Sequence, residues 1–338
     1  MIELPITKKS ARHSKKIWII GLSVLGGIGA AWLLPAMISW QPYDYAIYMQ
    51  GARMVRAGID PHAQLPYWYP LPITLFTTVP WSFLPDQFAW AFAFIPAGLL
   101  HLHWGRRAIL WWLFFPFLIN LAYAQAEGWL ILPLIWLLDD APIKSSFGMW
   151  ALLFKPAYGV LLIPYRLWSW WQARRWRDGR WLIGLTIIAF GAAFVVDPLW
   201  WWHWFNGVIH RSENPELRLR NMTVWAFPEH GTIGFVLLGL FLVAFIALGI
   251  PLWQSQKYRG QVLLMVSLCF FPGGLNPVSS MMGMFLAETT GEILTLVAVS
   301  WGVAGLDALV GGFGGVYLLI VLAAMAIRVR RKRLEEAH

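Results

Sequence analysis

The feature that most constrains this chain is a series of long apolar runs with few or no charged side chains. The first covers residues 17–38, 22 residues in which no Asp, Glu, Lys or Arg occurs. A helix of that length spans about 33 Å, and the hydrocarbon core of a bilayer is about 30 Å thick. A basic stretch precedes the run, as it would in a cleaved signal peptide. The run is too long for the apolar part of most signal peptides, so we expect an uncleaved anchor whose N-terminus is cytoplasmic.

Similar apolar segments follow along the rest of the chain. They cover residues 70–84, 88–104, 108–121, 125–138, 147–169, 181–200, 232–252, 261–275, 283–304 and 309–328. Apolar and aromatic types make up 59% of the chain and charged types 13%, against about 45–50% and 25% in soluble domains. The sequence therefore predicts an all-α, polytopic membrane protein. Breaks are expected around Pro80, Pro116 and Pro133, with re-entrant or interfacial helices among the shorter segments.

The net charge of +9 is concentrated in a few basic clusters. These clusters lie at residues 8–16, 174–180, 257–259 and 328–333. Positive charge beside membrane spans marks the cytoplasmic side, so we assign all four clusters to the cytoplasm. No basic stripe is then left that would indicate nucleic-acid binding. Eleven crossings would separate the two basic ends, so we expect about ten (nine to eleven), with a segment after residue 275 that does not span. Arg106 and Arg107 fall on the outer side by this count, which indicates that the region 70–121 does not cross simply.

Two long polar connections, residues 39–69 and 203–231, then lie outside the membrane. In the first, the residues after Asp44 predict a short amphipathic helix in the plane of the interface, which ends near Ala57 and is followed by Gly58. Asp44 itself has two interpretations. It can be the N-cap of this helix, or it can be a base at the edge of a water-filled cavity that takes a proton from an acceptor hydroxyl.

Several motifs occur in a fixed order within residues 17–231. They are Asp44 with Tyr48 four positions on, GIDPH at 58–62, YWYPLP at 67–72, AQAEGWLIL at 124–132, LFKPAYGVLLIP at 153–164 and RNMTVWA at 220–226. Together they resemble family 87 of the C-type glycosyltransferases. Members of that family are polytopic enzymes that move a sugar from a polyprenyl-phosphate carrier to an acceptor on the outer membrane face. Ala124 stands where the family has a glycine.

The resemblance implies an active site on the extracytoplasmic side, with Asp44 as the general base. The donor would be a polyprenyl-phosphate-linked sugar, mannose or another hexose or pentose, and the acceptor a lipid or a glycan. No covalently bound cofactor is expected, and the scarcity of clustered carboxylates argues against a dedicated divalent-metal site. The residues expected to bind substrate are Tyr48, Tyr69, Gln125, Lys155, Arg218, Arg220, Asn221 and His230.

Some of these residues have more than one interpretation. Lys155 is the leading phosphate contact, because an ammonium in apolar surroundings is costly unless it meets an anion. The alternative is a lysine that reaches the lipid headgroups. Arg218 and Arg220 can hold the same phosphate or remain surface charges. Glu127, two residues after Gln125, either caps its helix or is brought to the outer cavity by a re-entrant segment before it.

The chain departs from the family in its late outer segment. Residues 275–285 include Asn276 and Pro277 but lack the histidines that the family has there. His230, in the second outer loop, could fill a similar space. Two alternatives therefore remain beside the transferase: a lipid or glycolipid transporter or flippase, and an inactive transferase-like assembly partner. Each would be a multi-pass plasma-membrane protein that contacts membrane lipids. We expect one integral domain over 1–338, with a C-type catalytic core at 17–231, membrane helices at 232–328 and cytoplasmic basic tails at 1–16 and 329–338.

Overall fold

The computed structural model describes most of the chain after residue 41. The described residues are 42–63, 69–139, 141–153, 155–212, 224, 227, 230–270, 279–309 and 314–337. All regular secondary structure within them is helical, as the sequence predicts. The anchor predicted at residues 17–38 lies outside the described residues.

The described residues form sixteen α-helices, joined by turns and short 3-10 helices. In chain order the α-helices are α1 Tyr43–Arg56, α2 Leu71–Phe76, α3 Thr78–Trp81, α4 Ala89–Leu99, α5 His101–Trp104, α6 Phe115–Tyr123, α7 Glu127–Leu137, α8 Pro142–Leu152, α9 Pro156–Gly159, α10 Leu162–Gln172, α11 Arg180–Val196, α12 Trp200–Ser212, α13 Gly231–Gln254, α14 Arg259–Phe270, α15 Thr290–Leu309 and α16 Leu318–Glu336. The 3-10 helices are Pro61–Ala63, Asp86–Phe88, Gly105–Leu113, Trp176–Gly179, Gln256–Tyr258, Ser279–Leu286 and Gly314–Tyr317.

Three helical stretches in the described part of the chain are long and apolar enough to cross a membrane. They are Trp176–Val196, Gly231–Gln254 and Thr290–Leu309, with 21, 24 and 20 residues. Most of their residues are not buried against the rest of the protein, as expected of apolar helices that face lipid. These helices support a membrane protein, and the count of about ten crossings stays a prediction.

Several other predicted segments are divided into shorter helices. Ala124 adopts a left-handed conformation with φ of 49° and ends α6, while Gly105, with φ of 58°, ends α5. Pro116 lies in the first turn of α6, where the missing N–H of proline costs nothing. The break predicted at Pro133 is wrong, because α7 continues through it. A proline removes one helical hydrogen bond but need not end a helix that is held by its neighbours.

The helices α7 and α8 form an antiparallel hairpin. Ser145 Oγ donates a hydrogen bond to the Leu137 carbonyl at 2.9 Å, and Gly148 lies against the Pro133 carbonyl. As the residue number rises along α8, the number of the α7 residue that it contacts falls. Glu127, at the start of α7, and Lys155, just after α8, therefore lie at the same open end of the hairpin.

Glu288 forms ion pairs with the C-terminal helix α16. The Glu288 carboxylate pairs with Arg328 at 3.1 Å and with Arg331 at 2.6 Å. Its carbonyl accepts a hydrogen bond from Arg107. If every apolar segment crossed the membrane, Arg107 and the basic cluster 328–333 would lie on opposite sides. In the structure both contact Glu288 and therefore lie next to each other.

Candidate functional site

Helix α1 carries Asp44 and Tyr48 from the first predicted outer loop. The N-cap residue of α1 is Pro42, and Asp44 lies in the first turn. The interpretation of Asp44 as the N-cap is therefore wrong, because the helix starts one residue before it. At the other end, Gly58 follows the helix with φ of 71°, in agreement with the prediction. The buried face of α1 includes Tyr48 and Val55 and packs against the protein, so α1 is not simply a helix lying on the membrane interface.

The half-buried Asp44 contacts a residue far away in the sequence. Gln125 Nε2 donates a hydrogen bond to Asp44 Oδ2 at 2.5 Å. Gln125 follows Ala124, whose left-handed backbone turns the chain between α6 and α7. A left-handed conformation favours glycine, the residue that the resemblance expects there. The turn thus presents Gln125 to Asp44 across 81 residues of sequence.

Tyr48 and Tyr69 meet in the core beside Asp44. Tyr69 donates its hydroxyl hydrogen to Tyr48 Oη at 3.0 Å, and Tyr48 Oη accepts the backbone N–H of Ala126 at 3.4 Å. Burial raises the pKa of Tyr69 to about 12 and that of Tyr48 well above its usual range. Both phenols are therefore neutral at physiological pH, and they act as hydrogen-bonding groups.

His62 fixes the segment that carries Tyr69. One ring nitrogen, Nδ1, lies 2.9 Å from Asp60 Oδ1, and Nε2 lies 3.1 Å from the Tyr69 carbonyl oxygen. The His62 side chain is almost fully buried. Asp60 and His62 of the GIDPH motif thus have a structural role in this fold, because they hold Tyr69 in place.

Glu127 and Lys155 form an ion pair at the open end of the α7–α8 hairpin. The Glu127 side chain is fully buried, and 19% of the Lys155 side chain is exposed. Tyr158 donates a hydrogen bond to the same oxygen, Glu127 Oε1, at 3.3 Å. Among the described residues, no group donates to Glu127 Oε2. Lys155 is therefore not a lysine that extends freely to the headgroups, and Glu127 is not a simple helix cap.

Burial raises the pKa of Asp44 above its usual value. The hydrogen bond from Gln125 and the charge of Lys155 lower the pKa, while the charge of Glu127 raises it. Burial has the largest effect, because it disfavours the charged carboxylate. Asp44 is consequently a stronger proton acceptor than an exposed aspartate.

The structure brings together five of the nine residues that the sequence assigned to the site. They are Asp44, Tyr48, Tyr69, Gln125 and Lys155. Arg218, Arg220 and Asn221 lie outside the described residues. His230 is exposed just before α13, and its role as a substrate contact stays a prediction.

The residue that the sequence-based selection missed is Glu127, which was considered only as a cap or as part of a re-entrant segment. The cluster of Asp44, Glu127 and Lys155 contains two carboxyl groups and one ammonium. In the part of the chain that the structure describes, no three His, Cys, Asp or Glu side chains are arranged to hold a metal ion.

Searches of protein-family models, curated proteins and solved structures give no match to this chain. The functional argument therefore depends on the cluster around Asp44 and on the motifs in the sequence.

Proposed function

We propose that this chain is a membrane glycosyltransferase that moves a sugar from a polyprenyl-phosphate donor to a lipid or glycan acceptor on the extracytoplasmic face. The observation that carries the proposal is the contact between Asp44 and Gln125 beside the Glu127–Lys155 pair. These residues come from three separate motifs of the family resemblance. They meet although up to 111 residues separate them in the sequence (155 − 44).

Sugar transfer from a lipid phosphate needs a base at the acceptor hydroxyl. As the new glycosidic bond forms, the acceptor oxygen loses its proton and the phosphate leaves with the electron pair of the broken bond. Asp44 has the properties that such a base needs. It is only half-buried, its raised pKa increases its basicity, and the bond from Gln125 orients its carboxyl group through Oδ2. General-base catalysis of this kind contributes about 10²–10⁴-fold in rate.

The leaving phosphate needs cations because negative charge grows on its oxygen. Lys155 is already paired with Glu127, so the proposal assigns this role to Arg218 and Arg220 together with Lys155. Tyr48 and Tyr69 border the base and are proposed to contact the substrate. The donor sugar is mannose or another hexose or pentose, no cofactor is required, and the site works without a dedicated divalent metal.

The test replaces Asp44 with asparagine. Asp44→Asn keeps a carbonyl oxygen that accepts the Gln125 hydrogen bond but cannot take a proton, so transfer should fall by about 10²–10⁴-fold. The matched control is Asp86→Asn, which changes an exposed aspartate that pairs with Arg53 near the other end of α1. The assay follows radiolabel from a panel of polyprenyl-phosphate sugars into a membrane lipid extract.

Each result separates the alternatives. Equal transfer by Asp44→Asn and Asp86→Asn would remove Asp44 as the base. If the wild-type protein transfers no sugar from any donor, the transferase proposal fails. A lipid-linked sugar that crosses the bilayer of proteoliposomes without reacting would then identify a transporter or flippase. A protein that neither transfers nor transports would fit the inactive assembly partner.

A further inference from the structure

Glu127 pairs with Lys155 close to Asp44 but has no role of its own in the reaction as proposed above. The Glu127 carboxylate is fully buried and receives both Lys155 Nζ and the Tyr158 hydroxyl. A buried ion pair adds little net stability compared with apolar residues of the same volume, because both charges lose their hydration. The pair is thus poorly explained by stability alone.

We propose that Glu127 is a positioning residue for Asp44: it holds the Lys155 ammonium, so that the lysine does not pair with the Asp44 carboxylate and suppress its action as a base. This inference rests on the proposed role of Asp44. The Glu127 carboxylate neutralises the nearby cation, and Asp44 is left with Gln125, a neutral donor, as its hydrogen-bond partner.

The groups that face Asp44 come from each element packed around it. Tyr48 lies on α1, Tyr69 precedes α2, Gln125 precedes α7, Glu127 begins α7, and Lys155 precedes α9. Burial keeps Tyr48 and Tyr69 neutral. The charged neighbours that act on Asp44 are therefore Glu127 and Lys155, and their effects on its pKa have opposite signs.

Replacing Glu127 or Lys155 should therefore change the pKa of Asp44 in a predictable direction. In Glu127→Gln the lysine is left without its carboxylate, while its charge still acts on Asp44. An opposite charge close to a carboxyl lowers its pKa by about 1–3 units. In Lys155→Met the cation is absent and Glu127 stays, so the pKa of Asp44 should rise. The double variant removes both effects and should lie between the single variants.

A hydrophobic carbodiimide, which reacts with protonated carboxyl groups, provides the measurement. The purified full-length protein is labelled at a series of pH values, and mass spectrometry gives the modified fraction of the peptide that contains Asp44. Against the wild type, the labelling midpoint should fall by about one pH unit or more in Glu127→Gln. It should rise in Lys155→Met. Glu336→Gln, which changes an exposed carboxylate paired with Lys332, is the control and should leave the midpoint unchanged.

An unchanged or raised midpoint in Glu127→Gln would overturn the inference. If that variant does not fold, Lys155→Met and the double variant keep the test open, and an unchanged or lowered midpoint in Lys155→Met would overturn it equally. The labelling needs no sugar transfer. If the labelling midpoints shift as expected but no variant transfers sugar, only the proposed function fails. If transfer depends on Asp44 but the midpoints do not shift, only the role of Glu127 fails.

Discussion

Gly148 gives the sharpest test of how the α7–α8 hairpin holds the candidate site together. A Cβ atom at this position would lie 2.4 Å from the Pro133 carbonyl oxygen and 2.6 Å from the Leu137 nitrogen. Ordinary contacts begin at 3.4 Å, so the two backbones would have to separate by 3.4 − 2.4 = 1.0 Å. These neighbours are backbone atoms of a packed helix and cannot move away as a flexible side chain would.

The free energy follows from two opposing effects. Overpacking in a helical core costs about 1–3 kcal/mol, and replacing glycine by alanine inside a helix returns about 1 kcal/mol. We therefore expect Gly148→Ala to lower the free energy of unfolding by up to about 2 kcal/mol. The control is Gly184→Ala in α11, where no atom lies within 4 Å of the new Cβ. Gly184→Ala should gain the stability that alanine gives a helix, without the steric clash.

The assay is thermal unfolding of the purified variants in the same detergent. Gly148→Ala should unfold below the wild type, and Gly184→Ala at or above it. If Gly148→Ala unfolds at the same temperature as Gly184→Ala or higher, the close packing of α7 on α8 is not as described, and the argument that this packing positions Glu127 and Lys155 loses its basis.

Two further predictions concern the C-terminal helix. Glu288→Gln removes a carboxylate from the buried Arg328 and should lower the free energy of unfolding by up to about 3 kcal/mol. Glu336→Gln changes an exposed carboxylate that pairs with Lys332 and should lower it by less than about 1 kcal/mol. Equal stability of the two variants would contradict this prediction. The hydrogen bond from Tyr258 is the largest cause that lowers the pKa of Glu335 from 4.5 to about 2. A lowered folded-state pKa gives stability that is present above 4.5 and lost as the pH falls through about 2. Tyr258→Phe should therefore lose less stability than the wild type between pH 5 and pH 2, measured by thermal unfolding, and an unchanged pH dependence would exclude this bond as the cause.

The helical membrane class could be predicted from the sequence because it depends on the composition of the whole chain and on the length of its apolar segments. The sequence predicted the ends of helices less well, because there a single residue can determine whether the backbone turns or continues. The left-handed turn at Ala124 and the continuation of α7 through Pro133 both depend on packing between segments. A hydropathy profile measures apolar content and does not detect such turns, so it cannot separate one long span from two short helices.

The pairing of Glu127 with Lys155 shows what a sequence-based search could have found. Helices α7 and α8 each contain 11 residues, and Ala141 lies between them. Glu127 is 14 positions before Ala141 and Lys155 is 14 positions after it (141 − 127 and 155 − 141). An antiparallel hairpin with arms of equal length brings such positions together. The hairpin was missed because residues 147–169 were interpreted as one segment, which hid the end of α8 at Leu152.

The length of the α7–α8 hairpin gives a physical reason for pairing Lys155 with a carboxylate. At its closed end, the Asp139 carboxylate pairs with Lys144 and the Asp139 carbonyl accepts a hydrogen bond from Arg166 of α10. From Asp139 to Glu127 a helix rises 12 × 1.5 Å, about 18 Å, and a hydrocarbon core is about 30 Å thick. If the closed end lies at the cytoplasmic surface, where positive charge accumulates, the Glu127–Lys155 pair lies below the opposite surface. An unpaired ammonium would be costly at that depth, so Lys155 can be kept beside Asp44 because Glu127 is buried with it.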